Sequence, residues 1–381
     1  MEEYQVYQDI KARTNGEIYI GVVGPVRTGK STFIKRFMNQ MVIPNISGEN
    51  DRQLAQDELP QSASGKTIMT TEPKFIPKEA VSINVTDNLD MKVKMIDCVG
   101  YVVKDAEGQF EDGKERMVRT PWFDYDIPFS KAAEIGTNKV INNHSTVGIV
   151  VTTDGSFGEL PRESYLEAEQ KTVDELKAIG KPFVILLNTD KPSSSQTAAL
   201  SAEMSDTYGA SVIPVNVEQL RESDITYIFT ELLMSFPVTS IYFEIPKWLE
   251  VVDDDNEIKS SVICDAAQIM AAADSLRDID HMDYPENEYV KRYKCSSINM
   301  ADGCDVVYFI LWVIPAIRIP ASSAIFTGLG LMTMTALSFV EVEDDTFDRV
   351  TGDEKWFKIA FLVGAALTLV GIILLLMFFK F

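Results

Sequence analysis

One run near the N-terminus constrains this chain more than any other: Gly24-Pro25-Val26-Arg27-Thr28-Gly29-Lys30-Ser31-Thr32. It matches G-x-x-x-x-G-K-[ST], and it lies between an apolar, β-branched run, Ile18–Val23, and a helical apolar stripe, Phe33–Met38. Strand, glycine loop and helix together form the context in which this pattern cradles phosphate. Glycines let successive backbone N–H groups point inward, and the helix N-terminus adds partial positive charge. Lys30 is then placed to reach the β- and γ-phosphates and Ser31 to ligate Mg2+. Gly24, Arg27, Thr28, Gly29 and Thr32 complete the loop.

The rest of the first 245 residues alternates strands with helices. Val81–Val85 and Met91–Ile96 alternate apolar and polar positions around Asp87-Asn88, which predicts an antiparallel hairpin. Further strands are expected at Thr146–Thr153, Pro182–Leu187, Val212–Val217 and Val238–Ile245. Helices are expected at 4–13, 30–41, 162–179, 195–208 and 223–235. Such alternation gives a mostly parallel sheet covered on both faces. The fold class is therefore α/β, a GTPase-like P-loop NTPase domain over residues 1–245. The polar stretch Pro44–Pro77 is too long for an ordinary connection and reads as functional.

A P-loop needs a second carboxylate on the magnesium side, at the end of another strand. Asp97 supplies it, in a D-x-x-G turn whose Gly100 lets a backbone N–H approach the γ-phosphate without a Cβ in the way. Between loop and turn, Thr70 and Thr71 are the candidates for a threonine that closes over magnesium and senses the γ-phosphate. The pattern leaves open which of the two is the ligand.

Guanine is read by N-K-x-D after a strand. Here the corresponding segment is Asn188-Thr189-Asp190-Lys191, so a lysine stands where the reading carboxylate belongs. A lysine accepts no hydrogen bond, which favours ATP over GTP as the ligand. Tyr101 stands where many GTPases carry a water-orienting glutamine, so slow hydrolysis is expected. Arg27, Arg119 and Arg221 are the candidates for a transition-state cation.

The net charge of −22 argues against nucleic acid as a partner, since an acidic surface repels a phosphate backbone. Cys98, Cys264, Cys295 and Cys304 form no C-x-x-C pair and read as reduced thiols. With His144 and His281 the only histidines, a histidine-built metal site is not expected. The acidic start, Met1-Glu2-Glu3-Tyr4, reads as no signal peptide.

Hydropathy changes near residue 305. Residues 246–304 read as a helical linker, and 305–381 as a membrane anchor with spans near 319–340 and 359–379. Val306–Ile317 is too short to span and is expected at the interface or as part of a kinked first helix. Lys291, Arg292 and Lys294 precede the first span and an acidic loop follows it, which favours a cytoplasmic ATPase domain and contact with membrane lipid.

Several runs resemble a specific family. Gly24–Thr32, Asp57–Phe75, Asp97–Tyr101, Thr120-Pro121-Trp122, Ala132–Thr137 and Thr152-Thr153-Asp154-Gly155 are similar to stage IV sporulation protein A, over about residues 4–282. The resemblance implies a GTPase-like fold turned to ATP hydrolysis and assembly of the spore coat basement layer. It also implies self-association and partners at the forespore surface in the mother cell. By it, Lys30 and Ser31 hold ATP–Mg2+, Asp97 supports the metal, and Thr70 and Thr71 sense the γ-phosphate. Beyond about residue 285 no likeness to the family's middle and C-terminal regions is expected. A membrane-anchored GTPase switch and a nucleotide-stabilised scaffold with little turnover are the rival readings.

Overall fold

The computed structural model describes residues 16–311 apart from 47, 61–71, 87–88, 105, 107–109, 112–113, 158–159 and 300–303. Strand β1 (Glu17–Val23) enters the glycine loop and helix α1 (Lys30–Phe37) leaves it. Phe33 N–H donates to the Gly29 carbonyl at 2.8 Å, so helical bonding begins inside the motif. Phe33, Ile34 and Phe37 share one buried face. At residue 37 the α1 hydrogen bonding widens into a π turn, Met38–Val42, short of the expected end at 41.

The long polar stretch Pro44–Pro77 holds α2 (Glu49–Asp57) and the start of β2 (Lys74–Thr86). β2 pairs antiparallel with β3 (Leu89–Asp97), from Lys74 opposite Asp97 to Thr86 opposite Leu89. The expected hairpin is present and longer than its alternating core. Its turn, Asp87-Asn88, lies outside the described residues.

Next come α3 (Phe129–Lys139), β4 (Val147–Thr153), α4 (Leu166–Ala178), β5 (Phe183–Asn188), α5 (Ser195–Tyr208), β6 (Val212–Val215) and α6 (Glu222–Met234). The sheet order is β6-β5-β4-β1-β3-β2, with every pairing parallel except β2 with β3. Every residue of β4 and β5 is buried, as a parallel sheet covered on both faces requires. Ile149, Val151, Leu186, Phe33 and Phe229 form one apolar layer, where Phe37 stacks on Phe229 at 5.3 Å. Val150, Ile185, Leu187, Tyr165 and Leu176 form the other. Because β1, β3, β4 and β5 run the same way, their C-terminal loops emerge along one edge. That edge is where open α/β sheets bind ligands.

The strand expected at 238–245 does not extend this sheet. Instead β7 (Ser240–Glu244) is followed by α7 (Lys247–Glu250), α8 (Glu257–Ala272) and α9 (Leu276–His281), then β8 (Val290–Asn299) and β9 (Cys304–Leu311). The three strands make a separate sheet of order β7-β9-β8. The expected helical linker over 246–304 is thus helical only to His281, with strands beyond. The run into Leu311, expected at a membrane interface, is strand β9. Its valines, tyrosine and phenylalanine favour the pleated chain, and an apolar run this short is as compatible with a strand as with a helix.

Among the described residues no helix is long and apolar enough to cross a membrane. The expected spans at 319–340 and 359–379, the helix at 4–13, and Thr70 and Thr71 all lie outside the described residues.

Candidate functional site

The glycine loop is held in shape by bonds that its sequence spacing makes possible. Thr28 Oγ1 donates to the Pro25 carbonyl at 3.0 Å, and Lys30 Nζ donates to the same carbonyl at 2.5 Å. Gly24 lies at φ 128°, and a Cβ there would come within 2.4 Å of the Val151 carbonyl oxygen on β4. Only glycine fits that crossing. Gly29, the residue before α1, makes no side-chain cap, and the first turn of α1 carries no acidic residue. The helix N-terminus therefore presents its amides and its partial positive charge to an anion from outside the chain. Ser31 and Thr32 sit half-buried in that turn.

Lys30 is 5 % exposed. Burial pushes its ammonium below the ordinary lysine range, while Cys98 and Asp97 pull it back up. A cation so poorly solvated is poised to gain from a phosphate partner.

Asp97 meets this lysine from the end of β3. Its Oδ2 accepts a 2.9 Å hydrogen bond from Ser31 Oγ. Its Oδ1 is buried and has no hydrogen-bond partner. Burial raises the carboxyl above its ordinary range, opposed by the Ser31 bond and the charge of Lys30. An orphaned carboxylate oxygen beside a serine hydroxyl is a hard oxygen donor set, which suits Mg2+. Among the described residues no group of three or more His, Cys, Asp or Glu side chains is arranged to hold a metal, so protein ligands alone do not make a closed cage. Mg2+ normally keeps several waters and shares substrate phosphates, and so needs no such cage.

Gly100 closes the far side. It lies at φ 93°, where a Cβ would stand 2.1 Å from the Gly24 carbonyl oxygen and 2.6 Å from Lys30 Nζ. The D-x-x-G turn is thus in direct contact with the phosphate loop. Tyr101 N–H donates to the Gly24 carbonyl at 3.2 Å, and Val26 N–H donates to the Tyr101 carbonyl at 2.9 Å. The Tyr101 ring is buried, and its hydroxyl donates to Glu175 Oε2 on α4 at 2.5 Å. Burial, then the Glu175 bond, push this phenol well above its ordinary pKa. Tyr101 thus joins the D-x-x-G turn both to the glycine loop and to α4.

The segment after β5 departs from its sequence reading in one important way. Asn188 is buried: its Nδ2 donates to the Thr28 carbonyl at 3.1 Å, and its Oδ1 accepts from Val217 N–H at 3.2 Å. It ties the phosphate loop to the loop after β6, a role that sequence reasoning missed. The available signal was an asparagine closing a fully buried apolar strand. Asp190 and Lys191 are exposed and lie 3.7 Å from each other. Asp154, after β4, accepts from Thr189 Oγ1 at 2.5 Å and from Ser156 Oγ at 2.6 Å. Behind it a buried cluster joins Arg162 to Glu169, Thr152 and Thr153, with Tyr208 donating to Glu169 at 2.7 Å.

Of the three candidate arginines, Arg27 lies on the loop, with its side chain exposed. Arg119 faces Asp126 at 3.9 Å, and Arg221 is the residue just before α6, its N–H bonded to Asp224. His144 packs edge-on against Phe75.

With this geometry in place, similarity to known proteins becomes decisive. The model of the ATPase domain of stage IV sporulation protein A matches residues 1–237. The chain belongs to the stage IV sporulation protein A family. The family's middle-domain model follows over residues 238–311. That corrects the expectation that likeness stops near residue 282, and it covers β7 to β9. The chain is 47 % identical to stage IV sporulation protein A of Bacillus anthracis and 45 % identical to that of Bacillus subtilis. Each match runs over 305 residues, 80 % of this chain. The Clostridioides difficile protein of the same name is 42 % identical over 361 residues, covering 92 % of this chain and 72 % of that protein. The chain spans 62 % of the length of the two Bacillus relatives.

Proposed function

We propose that this chain binds ATP with Mg2+ at the Gly24–Thr32 loop and hydrolyses it, as a sporulation ATPase. The observation that carries this reading is the join between the loop's Ser31 and Asp97, whose second oxygen is buried and unpartnered beside the Lys30 ammonium. In this reading the uncapped amides of α1 receive phosphate oxygens and Lys30 neutralises the β- and γ-phosphates. Ser31 and Asp97 hold the metal. Gly100 brings its N–H toward the γ-phosphate, and Thr70 and Thr71 supply the sensing contact. Mg2+, when bound, would neutralise charge on the phosphates. Turnover is slow, because Tyr101 is committed to Glu175 and the loop backbone and does not itself orient the water. The base is adenine, since Lys191 offers no acceptor where guanine needs one.

Membership of the family supports a place in spore formation: self-association, coat or forespore membrane partners, and the forespore surface in the mother cell. The apolar runs 319–340 and 359–379 support attachment to membrane lipid by the chain's own spans. Carbonate washing of membranes tests that attachment: retention in the pellet supports it, and release of most of the chain contradicts it. Lys30→Ala tests the phosphate site. ATP binding should be lost while the melting temperature stays near that of the parent, and parental affinity in the variant contradicts the assignment.

A further inference from the structure

Arg27 is the only described residue other than glycine with a positive φ, at 63°. Gly24, Gly29 and Gly100, the other positive-φ positions around the loop, all dispense with a side chain. A side chain in left-handed backbone is strained, and such strain persists at functional sites where something else requires the residue. Val26 and Thr28 on either side are buried, whereas Arg27 is exposed at the crest of the loop. Its charge is felt at the buried Tyr165 phenol, on the α4 side of the loop.

The site has a use for a second cation. Lys30 Nζ spends one of its three N–H donors on the Pro25 carbonyl. Tyr101, at the position of a water-orienting residue, is turned into the core. The chain as a whole is strongly acidic, so cations at the loop are not a by-product of surface charge.

We infer that Arg27 is a catalytic residue whose guanidinium, supplied in cis from the strained crest of the loop, stabilises the charge that develops during phosphoryl transfer. In that step the water oxygen bonds to the γ-phosphorus as the bond to the β,γ-bridging oxygen breaks. The electron pair leaves with ADP, and the water's protons pass to phosphate and solvent. A guanidinium beside the phosphates neutralises negative charge in the transition state more than in the bound substrate. The inference rests on the proposed ATPase reading.

The test compares the parent chain with Arg27→Gly and Arg27→Lys, measuring melting temperature, equilibrium ATP binding and multiple-turnover phosphate release. Glycine should relieve the strain, so the variant should melt at or above the parent temperature and bind ATP within about threefold, yet turn it over at least tenfold more slowly. Lysine should recover part of the rate. Turnover in Arg27→Gly within twofold of an active parent overturns the role of Arg27 and leaves the ATPase reading intact. No turnover by the parent overturns the ATPase reading itself, and with it this inference.

Discussion

Ser31, in the first turn of the helix leaving the phosphate loop, donates a 2.9 Å hydrogen bond to Asp97 at the end of the neighbouring strand. β1 and β3 are parallel and in register from Glu17–Lys92 to Val22–Asp97, so the sheet delivers the carboxylate to the mouth of the loop. The two expected metal ligands are brought together by the pairing of the strands that lead to them. Such preorganisation lowers the cost of holding a cation and its phosphates in place.

Asn188 should matter for affinity through the loop it supports. Asn188→Ala leaves the Thr28 carbonyl and the Val217 N–H without their partner. Unmet buried groups cost about 1–3 kcal/mol each. ATP affinity should fall at least about tenfold, with a lower melting temperature. Binding and stability both equal to the parent would remove Asn188 from the loop's support.

The buried pair behind β4 should be expensive to break. Glu169 is fully buried, and Arg162 keeps 14 % side-chain exposure. Glu169→Gln leaves the guanidinium without its counter-charge, which for buried pairs costs roughly 3–5 kcal/mol. Urea unfolding should register a loss of that size. A surface control, Glu134→Gln, breaks exposed contacts with Lys131 and Lys171 and should cost about 1 kcal/mol or less. A loss for Glu169→Gln as small as for the control would contradict the cluster's role.

Asp154 sets a pH dependence. Burial raises its pKa, but hydrogen bonds from Ser156 and Thr189 outweigh that and hold the carboxyl below the ordinary range. A depressed folded-state pKa stabilises the fold above the ordinary carboxylate pKa, about 4, and loses that stabilisation as pH falls through the folded value. Compared with Asp154→Asn, the parent should be more stable by roughly 1 kcal/mol at neutral pH, a figure kept small by solvent screening. The difference should shrink as the solution is acidified below about pH 4. A gap that is constant with pH would show that the carboxylate charge is not what those hydroxyls serve.

Most of the nucleotide half was legible in the chain because its signals are local. The glycine loop announces its own flanking strand and helix, and continuous apolar runs such as Phe183–Leu187 can only be strands or helices buried on both sides. Asp97 was legible because a carboxylate must end a strand near the loop. Asn188 was not, since its partners, Thr28 and Val217, become neighbours only once the strand order is known. The burial of Tyr101 depends likewise on where α4 packs. In the second half, Lys291, Arg292 and Lys294 disguised β8 as a polar linker, and the apolar β9 had the composition of a membrane-facing run.

The most direct test of the account is multiple-turnover phosphate release by the purified chain with Mg2+, with ATP and GTP assayed side by side and Lys30→Ala as the control. The account predicts slow but repeated release from ATP, at least tenfold less from GTP, and none above background from Lys30→Ala. Release from GTP at or above the ATP rate, or release from ATP unchanged in Lys30→Ala, would contradict it.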